Sequence, residues 1–211
     1  MNISQRKAIS IAKRVFNLLK VKPGQRETEV ASHIKALLKK FGARPAFRVI
    51  VASGKRSALP HGFATNKIIK QGELVVIDFG ALYNGYRSDM TRTYVIGKPT
   101  ARQKKIYQIV QKAQAKALKA VRAGRRCSEV DQAARGYIEE KGLGKFFVHS
   151  TGHGVGRKVH QPPKISRKNR RRLRLGTIIC IEPGIYIKGF GGVRIEDMVI
   201  VTKTGCRVLT R

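Results

Sequence analysis

The sequence predicts an α+β protein: a curved, mostly antiparallel sheet with helices on its outer face, built twice about a pseudo-two-fold axis. Three observations predict it. Residues of the second half echo those of the first at a slowly growing offset. Apolar, β-branched runs in both halves, LVVID and TIICIE, read as buried strands. Stretches with apolar residues at helical spacing, ended by glycine, precede those strands.

The chain has 211 residues, which at roughly 150 per domain allows one large domain or two small ones. Its 45 Lys and Arg against 12 Asp and Glu give a formal charge of +33, while 42% hydrophobic and 27% charged residues are ordinary for a folded protein. The sign of the charge departs from the norm, not its amount. The cations are spread along the chain, 19 in residues 1–98 and 26 in 99–211, with one dense run at Arg167, Lys168, Arg170, Arg171, Arg172 and Arg174. Such a surface is open to nonspecific nucleic acid. No apolar stretch approaches the ~18 residues of a membrane span, and no membrane partner is expected. Residues 1–20 place Arg6, Lys7, Lys13 and Arg14 at helical spacing instead of a signal peptide's apolar block. Three cysteines without a CxxC pair exclude a disulfide framework and a thiolate metal site, so a cytoplasmic location is expected.

The elements follow in order. Glu27 and Glu29 open a helix carrying Val30, Ile34, Leu37, Leu38 and Phe41, ended by Gly42. Residues 103–121 put Ile106, Val110, Ala113 and Ala117 on one face, an amphipathic helix with a basic outer side. Ser128 reads as the N-cap of the next helix, with Asp131 three residues on, Val130, Ala134, Tyr137 and Ile138 on one face, and Gly142 as terminator. Glu139 and Glu140 read as solvated, as does Glu73 in a QGEL turn, and His33 reads as a surface residue.

Four acids need another explanation. Asp78 and Glu182 end buried strands, where a carboxylate is expensive unless it is paired or binds a cation. Asp89 and Glu196 follow in GYRSD and GVRIED. The echo pairs them. At an offset of 100, Gly24, Arg26, Glu29, Val30, Gly42 and Phe47 meet Gly124, Arg126, Glu129, Val130, Gly142 and Phe147. At 104, Asp78 and Gly80 meet Glu182 and Gly184; at 107, Gly85, Arg87 and Asp89 meet Gly192, Arg194 and Glu196. If the halves pack about a pseudo-two-fold axis, four carboxylates converge there and repel one another. Two divalent cations remove the repulsion and leave room for a bridging hydroxide. Oxygen-dominated ligation with one imidazole suits Mn, Co, Fe or Zn. His149, His153 and His160 lie in HSTGHGVGRKVH, beside the carboxylates, as does His61. Asp197 falls on the opposite strand face from Glu196 and reads as structural; Cys180 shares the face of Glu182 but reads as a small buried residue.

The segments VIDFGALYNGYRSDMTRTYVIG, HSTGHGVGRKVHQPPKIS, IEPGIY and GGVRIEDMVIVT resemble the pita-bread metallopeptidases (methionine aminopeptidases, Xaa-Pro aminopeptidases and proline dipeptidases) over nearly the whole chain. The resemblance implies the pita-bread fold and a two-metal site, manganese first among the metals, held by Asp78, Asp89, His153, Glu182 and Glu196, with Asp89 and Glu196 bridging. It implies substrate contacts from His61 in ALPHG, His149, His160, Tyr186 and Arg194. DFGA followed by GYRSDMTRT looks like the Xaa-Pro branch, and the expected organisation is one catalytic domain over 1–211, pseudo-repeats about 1–98 and 99–211, without that branch's usual extra N-terminal domain. Monomer and homodimer are both compatible with it. Arg157, Lys158 and Gln161 replace an apolar residue and two glutamates common in the family, and Arg157 is expected near enough to alter the field of the site.

The implied activity is hydrolysis of the N-terminal peptide bond of substrates with a free N-terminus, Xaa-Pro first, by the bridging hydroxide. Glu182 moves the proton, and His61 or His160 polarises the carbonyl. A methionine aminopeptidase is the alternative enzyme; a non-catalytic module binding RNA or ribosome through its basic surface is the alternative of another class.

Overall fold

The computed structural model describes residues 1–211. Four helices carry the predicted periodicity: α1 (Ile3–Leu18), α2 (Glu27–Lys40), α3 (Ala101–Ala120) and α4 (Cys127–Glu140). Helix α3 buries Ile106, Val110, Ala113 and Ala117 and leaves its lysines outside.

Helix α4 differs from the expectation at its start. Its N-cap is Arg126, not Ser128, and the Glu129 carboxylate accepts from the Arg126 backbone N–H at 2.8 Å. Helix α2 begins the same way, Glu29 accepting from the Arg26 N–H at 2.8 Å. Arginine offers no acceptor for the N3 amide, so each end carries only the returning half of a capping box. Asp131, read as part of a cap, is buried and holds a different job described below.

Every strand ladder is antiparallel. The strands of the predicted curved sheet fall into four sheets, of three, two, five and three strands. In the first half Leu74–Phe79 lies between Ile50–Ser53 and Met90–Val95. In the second, five strands run in the order Cys206–Val208, Asp197–Val201, Ile178–Ile181, Gly152–Gly154, Gln161–Ile165, with a register shift between His153 and Gly154.

The repeat is physical. Arg26 bridges Ile68 as Arg126 bridges Arg172, and Ile69 donates to the Gln25 carbonyl as Leu173 donates to that of Arg125, each at 2.8 Å. Each half fills its own core: Val30, Ile34, Leu38, Ile77 and Phe79 in the first; Val130, Ile138, Ile179, Ile181 and Val199 in the second. At roughly 1.5–3 kcal/mol per fully buried large side chain, these two cores dominate the favourable side of folding. No helix is long and apolar enough to cross a membrane.

Of the acids read as solvated, Glu139 and Glu140 are exposed and Glu73 is partly buried, and all three also carry an ion pair. Glu73 pairs with Lys67 at 2.6 Å, Glu140 with Lys141 at 2.9 Å, and Glu139 with Arg167. In a chain so rich in cations these three carboxylates each have a partner within reach, whereas the exposed Glu29 accepts only from the Arg26 backbone N–H.

Candidate metal centre

The site lies on the seam between the halves. Asp78 sits near the end of Leu74–Phe79, opposite Thr91 of Met90–Val95, and Asp89 immediately precedes the latter strand. Glu182 follows Ile178–Ile181, and Glu196 falls between Gly191–Arg194 and Asp197–Val201. Bonds across the seam fix the register: the Glu196 N–H donates to the Thr91 carbonyl at 3.2 Å, and the Thr91 hydroxyl donates to the Glu196 carboxylate at 2.7 Å.

The expected residues come together around one cleft of about 670 Å³. Asp78, Asp89, His153, Glu182 and Glu196 line it together with His61, His149, His160 and Arg194. His153 Nε2 stands 3.3 Å from Glu182 and 3.7 Å from Asp89. The His160 ring meets that of His153 edge-on, centroids 4.3 Å apart. Ligating atoms of Asp89, His153, Cys180 and Glu196 all lie within 4.8 Å of one another. Cys180 is therefore more than filler: it is the cross-strand neighbour of His153, and its sulfur faces the cluster. Burial, then Glu196 and Asp89, push its thiol well up, which keeps the sulfur protonated.

Two members of the set act from behind. Arg194 is buried and donates to Asp78 at 2.6 Å, to the Tyr186 hydroxyl at 2.7 Å, to the Thr91 hydroxyl at 3.1 Å and to the Pro60 carbonyl at 3.1 Å. The Tyr186 hydroxyl also lies 2.8 Å from His149 Nε2. The chain Asp78–Arg194–Tyr186–His149 ties four of the five Arg194 N–H donors and the Tyr186 hydroxyl to protein groups, so both side chains hold their neighbours in place. Arg157 lies outside the cleft, its guanidinium 5.4 Å over the Tyr86 ring, which corrects the expectation that it bears on the site. Asp197 turns the other way, to Arg92 at 2.9 Å, the Thr210 hydroxyl at 2.8 Å and Gln114 at 3.0 Å.

The electrostatics are those of a site built for cations. Burial and then Glu196 push Asp89 well above the usual carboxylate range. Burial and then Glu182 push Glu196 up to about 8. Asp78 is raised less strongly, because Arg194 offsets its burial. Burial alone lifts Glu182 too, yet the hydrogen bond from His153 and nearby positive charge bring it down to about 2. His153 rises to about 9, Glu182 outweighing burial. Two buried oxygens, Asp78 Oδ1 and Glu196 Oε1, have no hydrogen-bond partner. Orphaned carboxylate oxygens are costly, and divalent cations are the ligands that satisfy them and relieve the repulsion. The donor set, oxygens with one imidazole, fits Mn, Co, Fe or Zn.

Comparison with known proteins meets this geometry directly. The family model described as Metallopeptidase family M24 matches residues 4–203. The chain belongs to that family. It is 52% identical over 189 residues to an Xaa-Pro dipeptidase of Pyrococcus furiosus, a match covering 89% of this chain and 54% of that protein. Its fold superposes on the prolidase structure from the same organism with a TM-score of 0.96 at 49% identity, covering 99% of this chain and 63% of the other. An X-Pro aminopeptidase structure from Thermotoga maritima matches with a TM-score of 0.96 at 43% identity, over 99% and 60% of the two chains. The fold is the pita-bread fold of these M24 enzymes. The chain spans about half the length of these curated relatives.

Proposed function

We propose that this chain is the catalytic part of a two-metal peptidase that hydrolyses the N-terminal bond of Xaa-Pro substrates. The observation that carries the reading is the convergence of four carboxylates and His153, from both halves, with two buried carboxylate oxygens left unpartnered. In this reading Asp78, Asp89, His153, Glu182 and Glu196 would hold the ions. The bound pair supplies an acidified water as nucleophile and polarises the scissile carbonyl.

The remaining chemistry belongs to the side chains. Glu182, held ionised, takes the proton of the attacking water and passes it to the leaving nitrogen. The proline nitrogen, like any amide nitrogen, must be protonated before it leaves, and this relay supplies that proton. Burial, then His153, hold His160 below the ordinary histidine range, so it stays a neutral donor to the carbonyl oxygen, with His61 across the cleft. Burial likewise keeps His149 neutral, and its contact with Tyr186 fixes its ring.

Metal analysis paired with a dipeptide panel tests this. The expected result is close to two divalent ions per chain and chelator-sensitive cleavage of Ala-Pro. Faster cleavage of Met-Ala than of Ala-Pro reassigns the substrate, and absence of both metal and hydrolysis overturns the enzymatic reading.

A further inference from the structure

A surface outside the cleft is built for a different partner. The stretches 122–126 and 167–174 lie side by side, zipped by backbone bonds: Gly124 N–H to the Leu173 carbonyl at 2.8 Å, Cys127 to Arg171 at 2.9 Å, and Ser128 to Asn169 at 2.8 Å. Together they carry nine cations, eight of them exposed. A groove of about 720 Å³ runs beside them, lined by Arg171, Arg172 and Arg174 with Pro162 and Pro163.

The first half supplies an internal control. There the same zipper joins residues 22–26 to 63–70, with Gly24 N–H to the Ile69 carbonyl at 2.9 Å, Glu27 to Lys67 at 3.0 Å and Thr28 to Thr65 at 3.1 Å. The backbone does the same work with four cations, and one of them, Lys67, is paired with Glu73. The arginines of the second half are therefore not required by the fold.

Nor does the rest of the molecule supply them a counterpart. Every carboxylate away from the cleft is engaged: Glu27 with Arg56, Asp131 with Arg135, Asp197 with Arg92, and the others as described above. Only Glu129 and Glu139 reach this ridge, at Arg125 and Arg167. A local excess of about seven positive charges faces solvent.

We propose that this ridge docks the phosphodiester backbone of a nucleic acid. Its chemistry selects that partner over an anionic membrane. Eight of the nine cations are arginine, whereas lysines outnumber arginines over the rest of the chain. The guanidinium fork matches phosphate oxygens two at a time, while a polybasic membrane patch needs charge alone and takes lysine equally well. One large apolar side chain, Leu175, is exposed here, too little to anchor in lipid. No aromatic ring lies in either stretch, so bases have nothing to stack on and recognition runs through the backbone, independent of sequence.

The test uses the whole chain with short RNA and DNA duplexes of one sequence and with phosphatidylserine vesicles, between about 50 and 200 mM salt. Arg170, Arg171 and Arg174 make no side-chain hydrogen bond, so R170Q/R171Q/R174Q keeps the zipper, which circular dichroism verifies. K104Q/K105Q/K112Q on exposed positions of α3 removes the same charge elsewhere. The expected result is duplex binding that weakens steeply with salt. The ridge variant should lose roughly tenfold or more in affinity and about three from the salt slope, while the α3 variant loses less than about threefold. RNA or DNA preference identifies the source of the backbone and supports the proposal either way. Equal losses in the two variants, no duplex binding, or ridge-dependent binding of vesicles alone overturns it. Dipeptide hydrolysis is read in parallel; because none of the three arginines lines the cleft, it stays unchanged in the ridge variant.

Discussion

The two halves hold their loops with buried carboxylates, but not in the same way. In the first, Glu27 at the start of α2 accepts from the Ser53 N–H and hydroxyl, both at 2.8 Å, and from the Thr65 N–H and hydroxyl at 3.1 and 2.9 Å. It also pairs with Arg56, whose side chain is 27% exposed. The clamped loop carries His61. In the second, Asp131 accepts from the Thr151 N–H and hydroxyl at 3.2 and 2.8 Å and forms a closed, buried pair with Arg135. Arg135 continues to the Phe147 and His149 carbonyls at 2.9 and 2.6 Å. That clamp ends two residues before His153. The stiffer device therefore supports the proposed metal ligand, and the wetter one supports the loop of His61 on the cleft lining.

The sharpest test of the comparison asks whether the halves contribute equally to chemistry. Asp78→Ala removes a ligand from the first half and Glu182→Ala one from the second. Each should lower kcat/KM on Ala-Pro by on the order of 10³-fold with the far-UV spectrum unchanged. Full activity in either variant breaks the shared site.

The clamps should differ in stability. Asp131→Ala leaves Arg135 charged and buried without its partner, which costs about 3–5 kcal/mol. Glu27→Ala leaves an arginine that can turn to water, and the loss should be nearer 2–3 kcal/mol, mostly from the freed Ser53 and Thr65 donors. Urea unfolding of the two variants checks the order. The Asp131 variant should also bind metal roughly 10–100-fold more weakly, since the backbone on either side of His149 loosens. Equal metal affinity in both would show that the second clamp serves the fold alone.

The carboxylates at the seam were legible because Asp78 and Glu182 end apolar, β-branched runs where a charge has no ordinary reason to be. The repeat then supplied Asp89 and Glu196. Asp131 was not: an acid three residues after a serine imitates a cap, and its real partners lie four residues on at Arg135 and twenty on at Thr151. A signal existed, since Asp131 and Arg135 are one turn apart beside Val130, Ala134 and Ile138, but burial of that face depends on distant chain. Arg194 lines the cleft, and its hydrogen bonds to Asp78, Tyr186, Thr91 and Pro60 are contacts that spacing cannot show. Of the acids read as solvated, Glu139 and Glu140 are exposed as expected, while Glu73 is drawn in by Lys67, one of many nearby cations.

Chelation exposes a further contrast. In the metal-free protein Glu196 keeps a proton to about pH 8 that the unfolded chain releases above about 4.5, so stability falls as pH rises through that window. Asp89, raised in the same direction, adds to the fall. The raised His153 has the same sign: its contribution is whole below about 6.5 and lost towards 9. Glu182 works oppositely, its contribution disappearing as pH falls from about 4.5 to about 2. The melting temperature in chelator should therefore peak near pH 5 and decline by pH 8, and saturating Mn(II) should flatten the decline. A melting temperature that rises from pH 5 to 8 in chelator would remove the basis for cation binding.

The smallest expected effect tests the repeat itself. Gly24 and Gly124 occupy matching turns at φ +91° and +80°, and a Cβ at either meets nothing within 4 Å. Replacement by alanine therefore probes the backbone alone, without a packing term to blur the comparison. A left-handed non-glycine residue costs roughly 1–2 kcal/mol, so Gly24→Ala and Gly124→Ala should destabilise by that amount and agree within about 0.5 kcal/mol. The two turns share no partner, so the double variant should lose the sum. A marked excess at Gly124 would mean that the arginines crowding its turn resist the shift, and that the second half gave up some tolerance to carry its charge.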